Sequence, residues 1–386
     1  MSEHAGSRRY ALLVTRNFPP LLGGMERVNQ QLLDAVAAEW RPALCGPAGA
    51  SAHIPAGVAV AQTRLNPLPL FLIGTLMRAM AMAWRLRPWV VVAGSGLSAP
   101  MAWFAARLVG AKCAVYLHGL DVIAPSRAYQ WLWLPFIRAC DLAVVNSRHT
   151  GELCERRGVK RERIRVLNPG TDLPSPDSVD TTAFRLRLDL GQRPILLSVG
   201  RFTRRKGLAE FAARALPEIA ARHPDVLLLV IGDEASAALH GSVGGESQRI
   251  QAAASAAGVA QNLRMIGHCD DATLDTAYQA ASVHVFPVLD LPGDVEGFGM
   301  VALESAARGL PTVAFSVGCV PDAVADGVTG RLVPPGDYAV FAQVVIQLLS
   351  DPADPARAQA CREFAAGKQW PVFAERFREL LRSLDG

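Results

Sequence analysis

The sequence has no closely spaced pair of cysteines. Its seven cysteines, at positions 45, 113, 140, 154, 269, 319 and 361, never occur at the Cys-x-x-Cys spacing. Structural zinc sites normally use closely spaced ligands, and disulfide scaffolds need a dense cysteine pattern. The spacing therefore argues against both, and we expect reduced thiols packed in the core of a cytoplasmic protein.

The sequence also has no apolar leader and no long uninterrupted apolar run. Residues 1–9 are polar and a strand pattern follows directly at Tyr10, which predicts that no signal peptide is present. Residues 88–106 carry no charge, but Gly94-Ser95-Gly96 and Pro100 interrupt them. A strand, a loop and a buried helix fit this segment better than a membrane span does.

Two ligand fingerprints are missing as well. No Gly-x-Gly-x-x-Gly follows the first strand, which argues against a nicotinamide or flavin site. No Asp-x-Asp occurs, so we predict that no metal ion and no other cofactor is required. The formal net charge of +4 is far below that of a typical nucleic-acid-binding domain.

What the sequence does contain is a repeated alternation of short apolar runs with helical patterns. Continuous apolar runs are typical of parallel strands that are covered on both faces. They fall at residues 10–15, 42–45, 89–93, 113–117, 142–145 and 165–167, and again at 195–199, 226–231, 263–266, 283–286 and 311–315. A chain of 386 residues, 51% hydrophobic, is long enough for two such domains. We therefore predict an α/β fold with two Rossmann-like, doubly wound domains.

The domain boundaries follow from composition. Residues 172–180 are rich in Pro, Ser and Asp, which is typical of a linker. We place the first domain at 1–175, the linker at 176–192 and the second domain at 193–365. Residues 366–386 have apolar positions at helical spacing and are predicted to form a final helix.

Polar and glycine-rich residues follow the ends of these strands. Ligands of open α/β sheets bind beyond the carboxyl ends of the strands, so these residues are predicted to line the sites. They include Gly23-Gly24, His118, Asn146-Ser147, Gly200-Arg201, Gly232-Asp233 and the turn that begins at Glu296.

The segment Glu296-Gly-Phe-Gly-Met-Val-Ala-Leu-Glu304 places two carboxylates around a glycine turn and the start of a helix. A helix that starts near Phe298 to Val301 presents unpaired backbone N–H groups and the positive end of its dipole. Such an end binds phosphate. Glu304 is expected within reach of the hydroxyl groups of a ligand.

The segment Gly200-Arg-Phe-Thr-Arg-Arg-Lys206-Gly207 is a basic loop after the first strand of the second domain. Arg201 offers a planar fork of donors and Lys206 a compact charge, a combination suited to a diphosphate. We expect Arg204 and Arg205 to be solvated surface residues.

These motifs, together with the Gly23-Gly24 loop and His118-Gly-Leu-Asp121, resemble those of the GT4-like retaining glycosyltransferases of the GT-B fold. The resemblance covers nearly the whole chain. It implies two domains that face each other across a cleft, with the final helix crossing back to the first domain. It departs from the family pattern at residues 233–248, where the usual Gly-x-Gly continuation is absent, so the nucleotide base is not predicted.

The resemblance also implies a role for each site residue. The catalytic positions are His118, Glu296, Arg201 and Lys206, of which His118 and Glu296 orient the donor sugar. The donor-binding positions are Gly23, Gly24, Gly200, Gly297, Phe298, Gly299, Met300, Val301 and Glu304. Of these, Gly24 and the amides of Phe298 to Val301 join Arg201 and Lys206 in stabilising the leaving diphosphate, while Glu304 holds the ribose.

The function implied is transfer, with retention, of a hexose-type sugar from a nucleoside-diphosphate sugar to a glycan or lipid-linked acceptor. A nucleotide-sugar epimerase, a phosphorylase and a non-catalytic nucleotide-sugar-binding protein remain alternatives, because fold does not fix chemistry. Two apolar and basic stretches, residues 65–87 and 127–138, are typical of helices packed on a sheet. Alternatively, one of them contacts the inner face of a membrane as a peripheral surface.

Overall fold

The computed structural model describes residues 9–124, 126–174, 180–234, 245–351 and 354–385. The chain forms two compact units: Met1–Gly170 with Trp370–Gly386, and Thr171–Gln369. Each unit has its own parallel sheet with helices on both faces. The prediction of two doubly wound α/β domains is confirmed.

The first unit contains a seven-stranded parallel sheet with the order β3-β2-β1-β4-β5-β6-β7. Its strands are β1 (Tyr10–Val14), β2 (Arg41–Pro47), β3 (Ala59–Thr63), β4 (Val90–Ala93), β5 (Lys112–Leu117), β6 (Leu142–Val145) and β7 (Ile164–Val166). Its helices are α1 (Gly24–Ala37), α2 (Leu68–Leu86), α3 (Ala99–Val109), α4 (Leu120–Ile123), α5 (Arg127–Leu132), α6 (Leu134–Ala139) and α7 (Arg148–Arg156). The order reverses between β1 and β4, so the ends of these two strands border the switch point where such sheets bind ligands.

The last helix, α17 (Trp370–Arg382), belongs to the first unit although it is the last element of the chain. Its buried residues recur at helical spacing and form one face: Trp370, Phe373, Phe377 and Leu381. That face packs beside α1, and the Phe373 ring lies 6.1 Å from the ring of Tyr116 in the sheet. An amphipathic face of this kind is stable only when another element covers it.

The second unit contains a six-stranded parallel sheet with the order β10-β9-β8-β11-β12-β13. Its strands are β8 (Ile195–Val199), β9 (Leu227–Ile231), β10 (Leu263–Met265), β11 (Val283–Phe286), β12 (Thr312–Phe315) and β13 (Gly330–Val333). Its helices are α8 (Thr182–Arg187), α9 (Leu208–Arg214), α10 (Leu216–Arg222), α11 (Glu246–Ala256), α12 (Asp271–Ala280), α13 (Met300–Ala307), α14 (Val320–Ala323), α15 (Tyr338–Ser350) and α16 (Pro355–Ala366). Here the order reverses between β8 and β11.

The segment expected to be a linker, 176–192, is only partly described. Residues 175–179 lie outside the described residues, but Thr182–Arg187 forms α8. Phe184 of this helix is buried in a core cluster of the second unit together with Leu190. This part of the segment therefore contributes to the second core.

Candidate functional site

The Glu296 carboxylate lies in a cluster of opposite charges at the switch point of the second sheet. It accepts hydrogen bonds from Lys206 Nζ at 3.1 Å and from Arg205 Nε at 3.0 Å. Arg205 also pairs through Nη1 with Asp294, at 2.5 Å. The side chains of Glu296, Lys206 and Arg205 are only 11–13% exposed. Because β8 and β11 are neighbours, the loops that follow them meet here.

Burial and the neighbouring charges act in opposite directions on these groups. Burial raises the pKa of Glu296, but the charges of Lys206 and Arg205 outweigh it and lower that pKa to about 2. Burial also lowers the pKa of Lys206, as do the charges of Arg205 and Arg201, while Glu296 raises it. At neutral pH Glu296 is therefore an anion held by two cationic side chains.

The prediction for Arg205 was wrong. It was expected to be solvated, whereas it turns inward and joins Glu296 to Asp294. Residues 204–206 form a single 3₁₀-turn, so successive side chains point in different directions. Arg204 stays exposed. Arg201 is exposed as well, but it lies close enough for its charge to lower the pKa of Lys206.

The glycine turn after Glu296 leads directly into α13, which begins at Met300. Gly299 precedes the helix with φ +89°, and a Cβ there would lie 2.9 Å from the ring of Phe286. The amides of Met300 and Val301 are in the first turn and have no acceptor within the helix. Lys206 Nζ lies 4.7 Å from the centre of the same Phe286 ring. The helix start and the lysine are thus both packed around one aromatic side chain.

Glu304 is on the second turn of α13 and is half-buried. One of its carboxylate oxygens accepts a hydrogen bond from the hydroxyl of Tyr278, at 3.2 Å. Tyr278 of α12 therefore helps to fix the position of the Glu304 carboxylate.

Gly200 and Gly232 let the ends of β8 and β9 come close together. A Cβ on Gly232 would lie 2.0 Å from the carbonyl oxygen of Gly200, and one on Gly200 would touch Lys206. Any side chain at Gly232 would therefore displace the loop that carries Lys206. The following loop, where the sequence departs from the family pattern, falls largely on residues 235–244, outside the described residues.

In the first unit, His118 lies at the end of β5 and is 5% exposed. Its Nε2 is 3.0 Å from the carbonyl oxygen of Gly94, at the end of β4. A carbonyl oxygen can only accept, so Nε2 carries the proton and Nδ1 of the neutral imidazole is an acceptor. The backbone amide of His118 donates to Asp121, 2.8 Å away, whose pKa is raised by burial.

The Gly23-Gly24 loop lies at the start of α1, beside the switch point of the first sheet. Gly23 has φ +154°, and a Cβ there would lie 2.5 Å from a carboxylate oxygen of Glu26. Glu26 in turn accepts a hydrogen bond from the side chain of Asn17, at 2.8 Å. This loop and His118 therefore lie in one unit, and the cluster around Glu296 lies in the other.

Several residues at the second site were missed by sequence reasoning: Arg205, Asp294, Tyr278 and Phe286. Asp294 carried a usable signal, because it stands two residues before Glu296 in the same loop. Tyr278 carried no such signal in the sequence, because it reaches Glu304 from a separate helix. Among the residues that the structure describes, no group of three or more His, Cys, Asp or Glu side chains could hold a metal ion.

Two protein-family models match the chain. The model described as Glycosyltransferase Family 4 matches residues 22–174, and the one described as Glycosyl transferases group 1 matches residues 181–367. The chain is 30% identical, over 94% of its length and 93% of the relative's, to a GDP-mannose-dependent alpha-(1-6)-phosphatidylinositol monomannoside mannosyltransferase of Mycolicibacterium smegmatis. It is 33% identical to D-inositol 3-phosphate glycosyltransferase 1 of Catenulispora acidiphila, over 64% of the chain and 58% of that protein.

Solved structures agree on the fold. Anabaena HepE in complex with UDP superposes with a TM-score of 0.78 at 18% identity, over 97% of this chain and all of that one. Sucrose-phosphate synthase from Thermosynechococcus elongatus gives 0.76 at 23% identity, over 98% and 99% of the two chains. The two sheets thus have the GT-B architecture. The chain belongs to the GT4-like glycosyltransferases, as shown by its similarity to the mannosyltransferase over nearly the full length, together with the two family models.

Proposed function

We propose that this glycosyltransferase moves a hexose from a nucleoside-diphosphate sugar to a lipid-linked or glycan acceptor, with retention of configuration and without a metal ion. The observation that carries the proposal is the position of Lys206 and Glu296, buried together beside the first turn of α13. The Lys206 ammonium and the helix N-terminus can bind the diphosphate of such a donor, and the Glu296 carboxylate can bind hydroxyl groups of its sugar.

The chemical work assigned to the second unit is electrostatic. Negative charge grows on the leaving diphosphate as the glycosidic bond breaks, and preorganised donors stabilise it. Lys206 can donate to phosphate while it keeps its bond to Glu296, because an ammonium group has three donors. Arg201, exposed at the same loop, can add a bidentate contact, and the amides of Met300 and Val301 supply the rest. Four such donors explain how the reaction could proceed without a metal ion.

The remaining residues are assigned to the sugar and the nucleoside. Glu296 and His118 orient the donor sugar, and Nδ1 of His118 accepts a hydrogen bond from one of its hydroxyls. Glu304, already fixed by Tyr278, binds the ribose hydroxyls. The resemblance to the family supports these roles, and each is open to test by substitution.

The mannosyltransferase relative supports a more specific donor and acceptor. It matches over nearly the full length of both chains, and its name specifies GDP-mannose and a phosphatidylinositol mannoside. We therefore take GDP-mannose as the first donor to test and an inositol-containing glycolipid as the first acceptor.

The test measures the change in melting temperature with GDP, UDP, ADP or NAD, first without metal and then with magnesium. A ligand that binds only the folded state raises the melting temperature by mass action. We expect GDP to stabilise the protein most, with no need for magnesium. The ligand-induced shift should disappear in Lys206→Ala and persist in Arg222→Ala, an exposed arginine of α10. Stabilisation by NAD alone, or by no diphosphate, would contradict the proposal.

The same protein is then incubated with GDP-mannose with and without the acceptor. A transferase consumes the donor to form product only when the acceptor is present, and proton NMR of the product gives its anomeric configuration. Lys206→Ala should lower kcat/KM by about 100-fold or more. Conversion of the donor without an acceptor would favour an epimerase, and an inverted product would refute retention.

A further inference from the structure

A long part of the first unit carries charge of only one sign. Between Glu39 and Asp121 the sequence contains no Asp or Glu. The basic residues of this stretch are Arg41, Arg64, Arg78, Arg85, Arg87, Arg107 and Lys112. In a chain with nearly equal numbers of basic and acidic residues, 39 and 35, this stretch therefore carries only positive charges.

The same stretch exposes large apolar side chains in a regular row. On α2, Leu70, Ile73, Met77 and Trp84 are 59–64% exposed. Their spacings of three, four and seven residues place them on one side of the helix. The neighbouring helix α3 adds Phe104 and Leu108, 40% and 39% exposed. We name these six residues the apolar patch.

The exposed row on α2 is not part of the hydrophobic core, because a different face of this helix is buried. Phe71, Thr75, Ala79, Met82 and Ala83 of α2 are buried. Ala79, Met82 and Ala83 pack in the core cluster below the sheet, together with residues of α3 and α6. A helix on the surface of a globular protein normally has one apolar face and one polar face. A second, exposed apolar face marks an interaction surface.

Basic side chains border the apolar patch. Arg78, Arg85 and Arg87 on or directly after α2 are exposed, as is Arg107 on α3. The guanidinium of Arg87 lies 4.1 Å from the centre of the Trp84 ring. Arginine and tryptophan beside an apolar row are the composition of helices that lie in the plane of a membrane interface.

We propose that the apolar patch and its bordering arginines dock the protein on an anionic lipid surface. A second copy of the chain fits less well, because a symmetric interface would bring the same arginines of both copies together. Like charges placed against each other are unfavourable, whereas anionic head groups neutralise them. Among the described residues, no helix is long and apolar enough to cross a bilayer, so the contact is peripheral.

The test is co-sedimentation of the full-length protein with vesicles of phosphatidylcholine alone and of phosphatidylcholine with phosphatidylglycerol. We expect binding to the anionic vesicles only, weakened by raising the salt concentration. The variant Arg85→Gln/Arg87→Gln removes two charges and should weaken binding by about tenfold or more, since each basic residue near such a surface contributes about fivefold. The variant Ile73→Gln/Met77→Gln removes apolar contact and should weaken binding to a similar extent.

The matched control is Leu186→Gln/Arg222→Gln, which changes an exposed apolar residue and an exposed basic residue of the second unit. It should bind like the parent, and the melting temperatures of all three variants should match that of the parent. Absence of binding, equal binding to neutral vesicles, or binding unchanged in both patch variants would overturn the proposal. So would a dimer in sedimentation velocity that the patch variants abolish, because the patch would then be covered by a second copy. None of these readouts depends on the proposed transfer activity.

Discussion

Two adjacent arginines with the same chemistry have opposite surroundings in this protein. The side chain of Arg205 is 12% exposed and lies between Asp294 and Glu296, whereas Arg204 is exposed. Loss of Arg205 leaves Glu296 bound to Lys206 and leaves Asp294 half-exposed, so we expect a cost below the roughly 3–5 kcal/mol typical of an uncompensated buried charge. An exposed arginine usually contributes less than about 0.5 kcal/mol.

We therefore expect Arg205→Ala to lower the melting temperature by several degrees and Arg204→Ala to leave it unchanged. Differential scanning calorimetry of the two variants beside the parent provides the measurement. The double variant Arg205→Ala/Asp294→Asn should be destabilised by less than the sum of the single variants, because they share one interaction. Equal effects of Arg204→Ala and Arg205→Ala would contradict the inward position of Arg205.

The charge of Glu296 should also make stability depend on pH. Its pKa in the folded protein is about 2, against 4.5 for the ordinary carboxyl group. This lowering of the pKa corresponds to about 3 kcal/mol of the free energy of unfolding at neutral pH. Because the folded-state pKa is depressed, this contribution is fully present above pH 4.5 and is lost as the pH falls toward 2. The melting temperature of the parent should therefore exceed that of Glu296→Gln by more at pH 6 than at pH 3.

An exposed residue without a titratable group provides the control for this experiment. Leu186→Gln changes an exposed residue of α8, and its difference from the parent should not vary over the same pH range. A constant difference between the parent and Glu296→Gln would show that Lys206 and Arg205 do not hold the ionised carboxylate.

Sequence reasoning could single out Lys206 and Glu296, which the structure brings together, but could not separate Arg204 from Arg205. The motif fixes which residue types occur in the loop, and both arginines fit it equally. Which of them turns inward depends on the 3₁₀-turn at 204–206 and on the position of Asp294 in another loop. Such information resides in the tertiary contact and not in the local sequence.

At the scale of elements, strands with apolar side chains were predicted, including the short edge strands β7 and β10, whereas the edge strand β3 was not. β8 and β9 are buried and coincide with their predicted runs within one residue. The edge strand β3, Ala59–Thr63, was missed because its side chains are small or polar and mostly half-exposed. An edge strand is paired on one side only, so burial imposes a weaker apolar pattern on its sequence.

The start of α13 could be predicted for a different reason. Gly299 must adopt a positive φ, close to the Phe286 ring, before the helix begins. Glycine is the residue that adopts this conformation readily, so the turn is visible in the sequence. The hydrogen bond between Tyr278 and Glu304 is not visible, because it joins two helices that are separated in the sequence by β11 and the Glu296 turn.

At the scale of the whole molecule, the chain builds two separate cores, and the last helix returns to the first of them. The side chain of Phe377 in α17 is fully buried and stacks on Phe373, with 6.4 Å between the ring centres. On the exposed side of the same helix, Arg382 pairs with Glu39 at 2.7 Å. The stability of the first unit should thus depend on residues more than 200 positions from most of its sequence.

Phe377→Ala tests this dependence. Loss of a buried phenylalanine costs about 3–5 kcal/mol, which corresponds to roughly 150- to 5,000-fold faster exchange for amides that exchange through opening of the first unit. We expect hydrogen exchange, followed by mass spectrometry of peptides, to accelerate in α1 and β1 and to remain unchanged in β8 and β9. Glu379→Ala, at an exposed position of the same helix, should leave hydrogen exchange unchanged in both units. Acceleration in both units would mean that they open together, and no acceleration in α1 would mean that α17 does not stabilise the first core.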